Sequence, residues 1–252
     1  MDIIKPDLSH ISFLADADLD IAATKVLLDS KNYPRAVYSF EQSVEKSCKY
    51  LGLTTMAISY DKLREIAHEP EKVFDRIFQS EIFLSVYDSI DYRKLKQQFK
   101  KLSLDERAYS ARFHIEYLFE KEDTDFQPKS YCSQLASFYD GNAFRKFLPE
   151  NIINELRSCS GIPKAEILCK EFLLQIRHLE KCCTVQMIMS FLVSGIEANS
   201  RYPDYNMKTT PSEIYSKDSE IVQNLYYLIE KQEFCILFLK AYFSKENILG
   251  PT

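Results

Sequence analysis

The segment Ala15–Leu53, ADADLDIAATKVLLDSKNYPRAVYSFEQSVEKSCKYLGL, decides the fold. With Leu14 just ahead of it, Ala17, Ile21 and Leu28 recur at helical spacing, and Ala22 and Val26 widen the stripe. The pattern predicts a helix from about Leu8 to Asp29. Asp16, Asp18 and Asp20 fall in its first half, where the helix dipole favours carboxylates. Asn32 and Pro34 interrupt the pattern, and Pro34 suits the first turn of a second helix. That helix is predicted over Arg35–Leu51. Val37, Phe40, Val44, Cys48 and Leu51 form its buried stripe, Gln42, Glu45, Lys46 and Lys49 its polar flank, and Gly52 its C-terminal stop. Glu45 and Lys49, four apart, read as a surface ion pair.

The rest of the chain extends this helical reading. Its 252 residues allow one large domain or two small ones. A hydrophobic content of 46% with 27% charged residues is that of a soluble globular protein, and five Gly with nine Pro leave room for long helices. The net charge of −5 argues against a coat for duplex DNA. Seven Cys, with no C-x-x-C pair, read as buried free thiols in a reducing compartment. No apolar leader follows Met1, and the run Cys182–Ile196 is too short to span a membrane and carries Gln186. The expectation is a cytoplasmic protein without membrane contact, metal or cofactor.

Downstream, a short helical piece over Tyr60–Ala67 precedes His68, a candidate for polar chemistry or a cap. RKLKQQFKKL sets Arg93, Lys94, Lys96, Lys100 and Lys101 around Phe99; such interleaving could meet a phosphate backbone or form a solvated face. Ser103 and Glu106 form a capping box that starts a helix to about Phe119. An acidic loop and two shorter helical pieces follow. A long apolar-periodic helix, with a possible kink, is predicted from Pro163 to Glu197, and a last one from Pro211 to Phe243. No strand and no repeat is expected, so the fold class is all-α.

Several chemistries are excluded. The five Gly make neither phosphate-binding fingerprint, and H-E-x-x-H and G-x-S-x-G are absent. His114-x-Glu116 lacks the P-C-x-x-C that a zinc deaminase needs.

Two stretches together resemble the HEPN domain family, in its subgroup with an R-Y-P-D loop. The first reads Asp18-Leu19, Ala22, Leu27-Leu28, Tyr33-Pro34, Ala36-Val37, Gln42, Glu45-Lys46 and Lys49. The second is Arg201-Tyr202-Pro203-Asp204, followed by Pro211-Ser212-Glu213 and Tyr215. The resemblance implies an up-and-down helical bundle made of residues 1–70 and 161–252, with residues 71–160 as a helical insertion. It implies a homodimer, a nucleotide or RNA ligand, and a prokaryotic defence or toxin–antitoxin setting, with a minimal nucleotidyltransferase as a possible partner. The binding residues would be Gln42, Glu45, Lys46, Lys49, Arg201, Tyr202 and Asp204. Arg201 can fork to a phosphate and Tyr202 can stack on a base, or the loop can simply pack over the bundle end.

The family also includes metal-independent ribonucleases, in which an Arg steadies the scissile phosphate and a His moves a proton. Arg107 and His114, with six residues between them, fit that spacing, although they lie in the insertion. Arg64 and His68 are too close, and Arg177 and His178 are adjacent. Three functions therefore stand side by side: nucleotide or RNA binding, cleavage by Arg107 and His114, and a helical scaffold without ligand.

Overall fold

The computed structural model describes residues 10–55, 57–78, 92–120, 162–196 and 209–242. These form helices α1 (His10–Asp29), α2 (Tyr33–Thr54), α3 (Leu63–Ile66), α4 (Glu71–Ile77), α5 (Tyr92–Lys101), α6 (Leu104–Glu120), α7 (Ile162–Val193), α8 (Pro211–Ile214) and α9 (Glu220–Tyr242), with a 3-10 turn at Tyr60–Lys62. No strand occurs among the described residues, as the all-α reading requires. None of the described helices is long and apolar enough to cross a membrane. In α7, side chains are described from His178 onward.

The opening hairpin turns where Asn32 and Pro34 predict. Lys31 takes a positive φ of 61°. The amide of Asn32 donates to Leu27 O at 2.8 Å and that of Lys31 to Leu28 O at 3.0 Å. That pair closes the end of α1 with a left-handed residue, a post usually held by Gly. Leu14, Ala17, Ile21 and Leu28 are buried, as are Val37, Phe40, Val44, Cys48 and Leu51.

Ala22 and Val26 depart from the expectation. Both are exposed, Val26 at 68%. Periodicity identifies an apolar face but not which side meets the core, and α1 has two such faces.

Gly52 also departs from it. Rather than ending α2 it lies within the helix, which runs on to Thr54. A Cβ there would stand 2.7 Å from Val73 Cγ1 and 2.8 Å from Ile58 Cδ1. The missing side chain lets the segment at Ile58 and helix α4 close on α2.

The predicted last helix is two. Thr210 and Glu213 form a capping box for α8: the Thr210 amide donates to Glu213 Oε2 at 2.6 Å. The chain then turns through the fully buried Tyr215 and restarts at Glu220. The amide of Glu220 donates to Asp105 Oδ1 at 3.0 Å, so α6 caps the N-terminus of α9. The capping box of α6 itself is present, with Ser103 N donating to Glu106 Oε2 at 2.8 Å.

Helices α1, α2, α7 and α9 share one core. Ala108, Ala111 and Ile115 of α6 and Tyr92 and Phe99 of α5 bury into the same cluster. Across the middle runs a polar layer of fully buried residues. Ser47 Oγ donates to Gln186 Oε1 at 2.8 Å, Gln186 Nε2 to Gln232 Oε1 at 2.7 Å, and Gln232 Nε2 back to Ser47 Oγ at 2.8 Å. This ring joins α2, α7 and α9, and Ser43 Oγ carries it to α1 by donating to Ala17 O at 2.8 Å. Cys48, Cys182, Cys183 and Cys235 are buried free thiols.

Candidate functional site

The polar flank of α2 is largely occupied by its own neighbours. Lys46 pairs with Asp20 of α1 at 2.6 Å. Gln42 Nε2 donates to Glu41 Oε2 at 2.8 Å. Glu45 and Lys49 form the expected i,i+4 pair at 2.5 Å, but their side chains are only 6% and 12% exposed, so it is not a surface pair. Its second oxygen explains the burial. Glu45 Oε2 lies 3.0 Å from Nδ1 of His68, which the chain brings back over α2. Ala67 precedes it in a positive-φ conformation (φ 48°). An alanine held there costs on the order of 1–3 kcal/mol. Glu45, Lys49 and His68 thus gather at one point, which their separation in sequence does not announce. Arg201, Tyr202 and Asp204 lie outside the described residues.

Arg107 and His114 share helix α6 two turns apart, and each has a defined environment. Arg107 Nη1 donates to Ser194 O at 2.8 Å and to Phe191 O at 3.4 Å, carbonyls just past and within the last turn of α7. A cation there also meets the negative end of the helix dipole. Burial lowers the guanidinium pKa, and the neighbouring Tyr215 and Glu71 act the other way. His114 sits between two rings. Its centroid is 6.3 Å from Phe99 of α5 and 5.8 Å from Phe113, edge-on. Burial lowers its pKa below the ordinary histidine value, which favours the neutral imidazole.

Arg107 also lines a recess of about 30 Å3 with Glu71, Lys96, Phe99, Lys100 and Ser194. Ser194 Oγ donates to Glu71 Oε1 at 3.1 Å, while Glu71 Oε2 and Arg107 Nε are buried without a protein partner. The recess suits one or two water molecules and is too small for a nucleobase. A nucleic acid would therefore meet its rim rather than its interior.

That rim is basic. Tyr92–Glu120 carries seven Lys and Arg against four Asp and Glu, in a chain of net charge −5. Tyr92 and Phe99 anchor α5 to the core. Tyr92 Oη donates to Asp75 Oδ1 at 2.6 Å, and Lys96 pairs with Asp75 at 2.6 Å. The opposite side of α5 exposes Arg93, Lys94, Lys100 and Lys101. Arg93, Lys100 and Lys101 have no carboxylate partner among the described residues.

Beside this basic helix, α6 turns three aromatic rings outward. Tyr109, Phe113 and Tyr117 follow one another at i, i+4 and i+8, with exposures of 65%, 58% and 55%. His114 connects them to α5 through its contacts with Phe113 and Phe99. The sequence reading missed these rings. Their four-residue spacing is visible in it, but the same spacing marks a core face, and only packing tells the two apart. Phosphates could lie along Lys100 and Lys101 while bases stack on the α6 rings, which is the division of labour in single-strand binding surfaces.

No protein-family model, no curated protein and no solved structure matches this chain. No group of three or more His, Cys, Asp or Glu suited to a metal occurs among the described residues.

Proposed function

We infer that this chain is a HEPN-type protein that binds single-stranded RNA on the α5–α6 face. One observation supports the reading: α5, with its exposed cations, meets α6 through Phe99 and His114, and α6 exposes the aromatic stripe Tyr109, Phe113 and Tyr117. Charge alone would attract any polyanion, and rings alone any apolar surface. Together they select a strand whose bases are free to stack.

Titrating a labelled single-stranded RNA in EDTA, with fluorescence anisotropy as the readout, tests this. Binding should weaken as salt rises. Phe113→Ala should lose about 1–3 kcal/mol, the usual worth of one stacked base. Lys100→Glu with Lys101→Glu should weaken binding and flatten the salt dependence. A flat titration at low salt sinks the reading.

Cleavage by Arg107 and His114 is the second reading. It is favoured by the position of both residues around Phe99, beside the basic rim, and by burial that keeps His114 neutral and able to accept a proton. Against it stands the use of Arg107 to hold the end of α7. RNA bound and recovered intact selects binding; cleavage in EDTA that His114→Ala abolishes selects the nuclease.

A further inference from the structure

Among the described residues, Cys48, Cys182, Cys183 and Cys235 are buried free thiols. Two of them face each other across α7 and α9. The register of the two helices sets this pair. His178 of α7 meets Phe238 of α9, with ring centroids 6.1 Å apart. Further along, Gln186 Nε2 donates to Gln232 Oε1 at 2.7 Å. Cys182 stands midway between His178 and Gln186, and Cys235 midway between Gln232 and Phe238. Antiparallel helices in this register bring the two cysteines into one layer.

Their contact is reciprocal. Cys182 Sγ donates to Cys235 O at 3.8 Å, and Cys235 Sγ donates to Cys182 O at 3.8 Å. Each sulfur can reach the other's main chain only where the two backbones pass close, which is the first requirement of a disulfide. Cys182 is also hydrogen-bonded to the Cys235 thiol. The remaining two thiols are directed otherwise. Cys48 Sγ lies 3.4 Å from Gln186 Oε1. Cys183 follows Cys182 by one residue, a rotation of about 100° around α7.

The closed bundle keeps the pair reduced. Both side chains are fully buried, so no reagent touches them. Burial, and next the hydrogen bond with Cys235, push the Cys182 thiol pKa well up, and the thiolate is the form that attacks a disulfide. Exchange therefore waits for α7 and α9 to part in a local opening.

We propose that Cys182 and Cys235 are a dithiol that a low-molecular-weight disulfide, RSSR, converts to an intramolecular disulfide bolting α7 to α9. Written with Cys182 first, its thiolate attacks one sulfur of RSSR, the reagent's S–S bond breaks and RS− leaves. The Cys235 thiolate then attacks Cys182 Sγ, the mixed disulfide breaks and a second RS− leaves. Each RS− takes up a proton that a cysteine gave. The two cysteines are oxidised and the reagent is reduced to two RSH. The proposal does not rest on RNA binding, and its test contains no RNA.

The test incubates the reduced full chain with oxidised glutathione, with and without urea below the unfolding midpoint. Non-reducing peptide mapping is expected to join Cys182 to Cys235 within one chain. Urea should speed the reaction several-fold by populating the open form. Dithiothreitol should reverse it. The bridged chain should unfold at a higher temperature than the reduced one, because the cross-link restricts the unfolded state. Cys182→Ala and Cys235→Ala should each abolish the bridge, whereas Cys48→Ala and Cys183→Ala should keep it. Circular dichroism checks that each variant is folded, and mapping of the wild type decides the pairing without them. A bridge to any other cysteine overturns the proposal. So does a chain that ends as the glutathione mixed disulfide, a pair left unreacted even in urea, or a bridged form less stable than the reduced one.

Discussion

A methyl group at position 52 has no space to enter. The positions it would meet, Val73 Cγ1 and Ile58, belong to branched side chains in the core, which cannot swing aside as a lysine tip would. Gly52→Ala should therefore cost about 1–3 kcal/mol, the usual penalty of overpacking, despite the better helix propensity of Ala. Urea unfolding followed by circular dichroism measures it. His114 makes a prediction of a different kind. Burial lowers its folded pKa below the unfolded value of 6.5, so the unfolded chain takes up the proton first. The contribution of His114 is thus fully present above pH 6.5 and is lost as pH falls from there through the folded pKa. Unfolding midpoints at pH 7.5 and 5.5 should draw together in His114→Phe, which keeps a ring against Phe99 and Phe113. An unchanged gap would show that other groups set the acid response.

At the scale of elements, the ends of helices were harder to read than their faces. The core stripe of α2 was legible because each of its positions is apolar and its flank is polar. The extent of α1's core face was not, since Ala22 and Val26 continue a pattern that the helix presents on both sides. The break between α8 and α9 has no local signature, because its cap, Asp105, comes from another helix more than a hundred residues earlier. Arg107 can be matched to a motif by spacing, but its partners are backbone carbonyls at the C-terminal end of α7, Phe191 O and Ser194 O, which leave no residue-type signature. That role predicts a stability effect separate from any on RNA. Arg107→Met should cost about 1.5–3 kcal/mol, the value of hydrogen bonds from a charged donor. Hydrogen exchange should show faster opening at the C-terminal turn of α7, around Phe191–Val193. A variant as stable as the wild type, with unchanged exchange there, would show that the cap does not hold that turn.

For the molecule as a whole, the −5 charge is an average over unlike parts. The cations gather on α5, which carries no carboxylate, while α6 carries Asp105, Glu106, Glu116 and Glu120 against two Arg, so a count over the chain says little about one face. The sequence held the cations and the rings of that face. It could not say that they lie outward on adjacent helices, because outwardness is a property of packing and not of composition.

The ring through Ser47, Gln186 and Gln232 has one more consequence. Aliphatic layers attract any neighbour at any height, so they hold helices together without telling them where to stop. Three side chains that each give and receive one hydrogen bond work as an address. Sliding α7 by a turn, or exchanging it with α9, leaves buried amides without partners, at about 1–3 kcal/mol for each orphaned group. Removing the address removes the penalty. The triple variant Ser47→Ala, Gln186→Leu, Gln232→Leu should resist heat at least as well as the wild type, because apolar groups replace the full set at once. Its calorimetric transition should nevertheless broaden as alternative registers become populated. If that transition stays as sharp as before, the helices find their heights by shape alone.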